Sequence, residues 1–132
     1  MFIQNAHFLY SNVDEEIDVV LVGFADQEFE TKEYILLQRS TVSDDQDKAL
    51  GLDKVHITLN REDCSDYCDI KEIKLRRDSL EIILDDTTAK VHRVPNHVVI
   101  RFHAAIDQLQ SIRNHLELMF QNEPGTLKCT DI

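Results

Sequence analysis

The sequence has no tryptophan, only three glycines and only two prolines. So few chain breakers exclude a long linker or low-complexity segment. No stretch approaches the roughly 18 consecutive apolar residues of a membrane-spanning helix. The longest apolar run, Val19 to Ala25, is broken only by Gly23 and has the length of a strand. The start, Met1-Phe-Ile-Gln-Asn-Ala-His7, lacks the basic residues, apolar run and small-residue cleavage site of a secretory signal. Three cysteines, Cys64, Cys68 and Cys129, are an odd number, and without a signal they read as reduced thiols in a cytosol.

Catalytic and metal-binding motifs are also missing. Gly23 and Gly51 stand apart, so no glycine-rich loop can cradle a phosphate. There is no Gly-x-Ser-x-Gly, and no local Cys–His arrangement. Cys64 and Cys68 form one C-x-x-x-C without the second half of a zinc site. Asp44, Asp45, Asp47 and Asp53 lack the central glycine and terminal glutamate of a calcium loop. With few tyrosines and no tryptophan, the aromatic lining of a sugar cleft is absent as well. The basic group Lys71, Lys74, Arg76 and Arg77 lies beside Glu72 and Asp78, which suits a solvated strand face better than a nucleic-acid surface. No cofactor, no metal and no enzymatic activity are therefore expected.

What is present is charge of one sign in one place. The net charge is −11. Residues 1–69 hold 16 acids and 5 bases, whereas residues 70–132 hold 9 of each. Such a field repels nucleic acid and anionic membranes and attracts basic partners. The competing explanation is a solvated, solubilising surface.

Hydrophobic patterning predicts strands at Ala6–Val13, Ile17–Ala25 and Tyr34–Ser40, then at Lys54–Asn60 with Val55, Ile57 and Leu59 on one face. A short capped turn is expected from Ser43 or Asp44 to Gly51. The polar stretch Arg61 to Asp69 reads as a loop. Ile70–Leu75 and Ser79–Leu84 form a hairpin, and Asp85 or Asp86 caps a short helix ending before Pro95. His97–His103 is a strand. Ile106, Leu109, Ile112, Leu116, Met119 and Phe120 define an amphipathic helix over about 104–121. Residues 123–132 are expected to be a loose tail. The result is one α+β domain over residues 1–132. It has a mostly antiparallel sheet of about six to eight strands, with the C-terminal helix on one face.

One stretch carries more than patterning. Tyr34-Ile-Leu-Leu-Gln-Arg-Ser40 is followed by Asp44-Asp-Gln-Asp-Lys-Ala-Leu-Gly51. It resembles the immunity protein 10 family, in which a strand ending in Gln-Arg leads into a D-x-Q-D-x-A-L-G segment. The similarity extends over about 30–121. It departs at Asp66-Tyr67-Cys68-Asp69, where a glycine beside the tyrosine is expected. The resemblance implies a non-enzymatic cytoplasmic protein that binds and blocks a cognate bacterial toxin. An acidic partner suits a basic, nuclease-like toxin. The candidate toxin contacts are Asp44, Asp45, Asp47, Asp63, Asp66 and Asp69, with Tyr67 as the aromatic anchor and Gly51 as a helix cap of positive φ. The alternatives are an acidic interaction or self-assembling domain without a toxin, which includes a homodimer, and a small enzyme using acids of the first half.

Overall fold

The computed structural model describes residues 2–42, 45–50 and 53–130, and of residues 61–65 and 92 the backbone alone. The elements in chain order are β1 (Phe2–Asn5), β2 (Phe8–Asp14), β3 (Val19–Ala25), β4 (Tyr34–Ser40), α1 (Asp45–Ala49), β5 (Val55–Leu59) and β6 (Arg61–Cys68). They continue with β7 (Glu72–Leu75), β8 (Ser79–Ile83), α2 (Asp86–His92), β9 (His97–Arg101), α3 (Ile106–Met119) and β10 (Leu127–Cys129).

The strands divide into two five-stranded sheets. Strands β2 to β6 form an antiparallel meander in sequence order. The other sheet has the order β1-β9-β8-β7-β10 and is mixed, with parallel pairs at both edges. The fold is α+β, with ten strands among the described residues where a sheet of six to eight was expected. The chain passes between sheets over two residues. Ala6 N–H donates to Arg101 O in the mixed sheet at 2.8 Å, and His7 N–H donates to Ala25 O in the meander at 2.9 Å. The sequence reading ran this corner into one strand from Ala6, because no glycine or proline marks it.

Both sheets contribute to one core. Its meander side is Leu9, Val20, Val22, Phe24, Ile35, Leu37, Val55 and Ile57, and its mixed-sheet side is Ile73, Leu75, Leu80, Ile82, Val98 and Ile100. Each set follows the two-residue period of a strand with one buried face. Phe24 and Phe102 stack at 5.7 Å between centroids.

Helix α3 packs on β2, β3 and β4 and reaches β10. Leu109, Ile112, Leu116 and Met119 are its buried residues. Gln108 donates to Leu9 O at 3.3 Å and His115 Nδ1 lies 2.7 Å from Ser11 Oγ, so the helix lies on the inner face of the meander. Ile106, which the periodicity places on the apolar stripe, is 78% exposed at the helix start.

Two further expectations change. The polar stretch from Arg61 is the edge strand β6, not a loop. Its acids suit an edge, where charge discourages pairing with another chain. The expected loose tail contains β10, which pairs in parallel with β7. Gly51, Ser43 and Asp44 lie outside the described residues. Asp85 caps α2 as expected, accepting Thr88 N–H at 2.7 Å, and Arg93 closes that helix in the left-handed region at φ 58°.

Candidate functional site

The uneven charge of the sequence becomes a difference between the sheets. All sixteen acids of the first half lie between Asp14 and Asp69, the stretch that builds the meander. The outer face of the mixed sheet instead pairs its charges. Glu72 lies 3.1 Å from Lys128 and 3.7 Å from Lys74, and Glu81 lies 3.2 Å from Arg76 and 2.5 Å from His97. The hydrogen bond from Lys128 holds the Glu72 carboxyl below its ordinary range. Burial pushes the Glu81 carboxyl up, but the His97 contact and the nearby Lys74 and Arg76 outweigh it and hold it down. The basic cluster of the sequence is thus spent largely on this paired strand face.

The outer face of the meander is built differently. Its register aligns Asn12, Leu21, Gln38, His56 and Tyr67 in one row across all five strands. Tyr10, Gly23, Leu36 and Thr58 form the next row. These positions alternate with the core residues, so they face away from α3. His56 and Tyr67 meet edge to face at 4.9 Å, and Gln38 Nε2 lies 3.2 Å from His56 Nδ1. An aromatic and amide strip therefore crosses the outer face of the acidic sheet.

The structure separates the sequence candidates. Tyr67 lies on that outer strip. Asp66 shares a row with Ile57, Leu37, Val22 and Ser11, so it lies at the edge of the inner face. Its Oδ1 accepts Tyr67 N–H at 2.8 Å. Asp69 is exposed just past β6 and pairs with Lys54 at 2.8 Å. Asp45 and Asp47 lie on α1, in the connection from β4 to β5. Asp63 is on β6, with its side chain outside the description, and Asp44 is outside the described residues. Among the described candidates, Tyr67 thus lies on the outer face and Asp69 just past the end of the same strand.

Sequence reasoning missed the outward row itself, because pairing register joins residues as distant as Asn12 and Tyr67. It also missed Phe29, which stands 78% exposed in the connection from β3 to β4. Its signal was visible as a lone aromatic between Glu28 and Glu30.

Residues 5–110 match the model of immunity protein 10, about four-fifths of the 132 residues. The chain belongs to the immunity protein 10 family. No curated protein matches it. The matched stretch of this immunity protein runs from the last residue of β1 into α3 and contains the whole meander with its acidic connections.

A depression of about 610 Å³ lies at the end of the mixed sheet. Asp78, Ser79 and His103 line it, but no hydrogen bond among the described residues joins Ser79 to a histidine. Among the described residues no three His, Cys, Asp or Glu side chains are grouped to hold a metal ion, and no helix is long and apolar enough to cross a membrane.

Cys68 is buried in the core, and Cys64 has its side chain outside the description. Burial, with Asp66 and Asp69 nearby, pushes the Cys68 thiol up to about 11. The folded state thus favours the protonated thiol. Its contribution to stability is whole below the ordinary thiol value of about 8.5 and is lost as pH rises toward about 11. Native iodoacetamide treatment at pH 8, followed by peptide mapping, should leave Cys68 unmodified until the protein is unfolded. Labelling as fast as in the unfolded chain would contradict this burial.

Proposed function

We propose that this immunity protein binds and neutralises a cognate toxin domain in the cytoplasm of the cell that makes both, without catalysing a reaction. Family membership supports the immunity role. The observation that carries the binding mode is the confinement of the acid excess to one sheet. A partner with a basic active-site cleft, as in a nuclease, is attracted to that side and away from the neutral one. Nucleic acid and anionic membranes are repelled by the same field. Asp45, Asp47 and Asp69 serve the steering role, and Tyr67 offers an amphipathic surface at the edge strand. Asp44 and Asp63 belong to the same acidic segments.

The test is co-expression with the toxin encoded beside this protein. Cells carrying both should grow, and the purified proteins should associate. Continued killing, together with no association between the purified partners, would refute the reading.

A further inference from the structure

Phe29 is a large apolar side chain left in water, and the loop around it is tightly braced. Asp26 N–H donates to Glu33 O at 3.0 Å. The Asp26 carboxylate accepts the backbone N–H of Gln27 at 3.0 Å, of Lys32 at 3.2 Å and of Glu33 at 3.3 Å. Gln27 Nε2 donates to Glu30 O at 2.7 Å, and Thr31 Oγ1 donates to Gln27 O at 2.8 Å. Desolvation raises the Asp26 carboxyl, yet the backbone N–H groups of Glu33, Lys32, Gln27 and Asp26 itself outweigh it and hold it below its ordinary value. Glu30 adopts φ 55°, a conformation that costs a non-glycine residue about 1 kcal/mol or more. Six hydrogen bonds and one unfavourable backbone angle thus fix a tip that leaves Phe29 78% exposed.

The surroundings indicate what would cover it. Glu28 and Glu30 flank the ring, and Asp26 and Glu33 close the loop, against a single Lys32. Five of the eight exposed large hydrophobics among the described residues, Tyr10, Ile17, Phe29, Val42 and Leu50, belong to the meander or its connections. The loop grows from the pair Ala25–Tyr34, whose Tyr34 lies on the outward face beside the Tyr10 row. Apolar anchors held rigidly and ringed by charge are the usual centre of a tight interface, because little entropy is lost on docking.

We infer that the Phe29 loop is the principal anchor for the toxin, inserting its ring into an apolar pocket of the effector domain that is rimmed by Arg or Lys. This rests on the toxin-binding role proposed above and names the surface that performs it. Glu28 and Glu30 meet the cationic rim, and the outward face of the meander lies against the remaining contact.

The probe is the purified effector domain of the adjacent toxin, carrying an inactivating substitution, titrated with the full immunity protein. Phe29→Ala should weaken binding by roughly thirtyfold or more, the scale of an interface anchor. Phe29→Leu keeps an apolar side chain and should stay within about fivefold of the wild type. Val91→Ala and Ile106→Ala remove side chains 70% and 78% exposed outside the meander, and each should change binding less than about threefold. The thermal midpoint of Phe29→Ala should match the wild type, since the ring is exposed. Wild-type binding that survives Phe29→Ala within threefold overturns the anchor and leaves the toxin-binding role standing. Absence of any wild-type binding overturns that role and the anchor with it.

Discussion

Replacing Arg39 by alanine is expected to cost about 3 kcal/mol of stability, among the largest effects of any single polar substitution in this protein. Arg39 ends the inner row of β4, and its side chain is 12% exposed. Its Nε donates to Asp53 O at 2.7 Å, Nη1 donates to Met119 O at 3.1 Å and Nη2 pairs with Glu123 at 2.5 Å. The guanidinium also lies 5.9 Å from the centroid of Phe120. One planar fork thus joins β4, the approach to β5 and the C-terminus of α3, where a backbone carbonyl otherwise lacks a donor. Alanine strands those acceptors near the core. Lysine keeps the charge but offers it as a point, so it should recover less than half of the loss. Urea denaturation measures both variants, and a loss below about 1 kcal/mol for Arg39→Ala would show that the fork is dispensable.

Neutralising Glu28, Glu30 and Asp45 together, as E28Q, E30Q and D45N, should slow association with the toxin domain about tenfold at low salt. All three side chains are exposed and belong to connections of the meander. The effect should fall mainly on the association rate, because exposed charges guide encounter over distances near the Debye length, about 8–10 Å in physiological salt. Raising ionic strength should slow the wild type far more than the triple variant. Stopped-flow mixing reads both quantities. Asp26 is excluded from this set because its carboxylate holds the Phe29 loop.

The elements with strong patterns were legible. The alternation from Val55 to Leu59, the buried run of β3 and the stripe of α3 each follow from local periodicity. Asp85 was legible as a cap because its partner lies three residues away. What escaped depends on distant partners. Strand β6 has a polar sequence and becomes a strand because β5 supplies a hydrogen-bonding edge. Strand β10 is three residues long and exists through β7, about fifty positions earlier. The first crossing between the two sheets is the corner at Ala6–His7, where two successive amides choose different partners. For the site, the acidic half was plain in the composition, but the faces were not. Alternation along β6 puts Tyr67 outward and Asp66 inward, and reading the segment as a loop removed that distinction. The family segment ending in Gln38-Arg39 shows the same point. Gln38 faces His56 on the outer side, while Arg39 turns inward to α3.

We expect the acidic meander, and not the neutral sheet, to meet the toxin. The direct measurement compares two triple variants by stopped-flow association with the inactivated effector domain at low salt. One carries E28Q, E30Q and D45N; the other removes three acids outside the meander with D78N, D86N and E117Q. Both change the net charge of −11 by the same amount. Association about tenfold slower is expected for the first and less than twofold change for the second. Equal slowing by both, or slowing by the second alone, would contradict it.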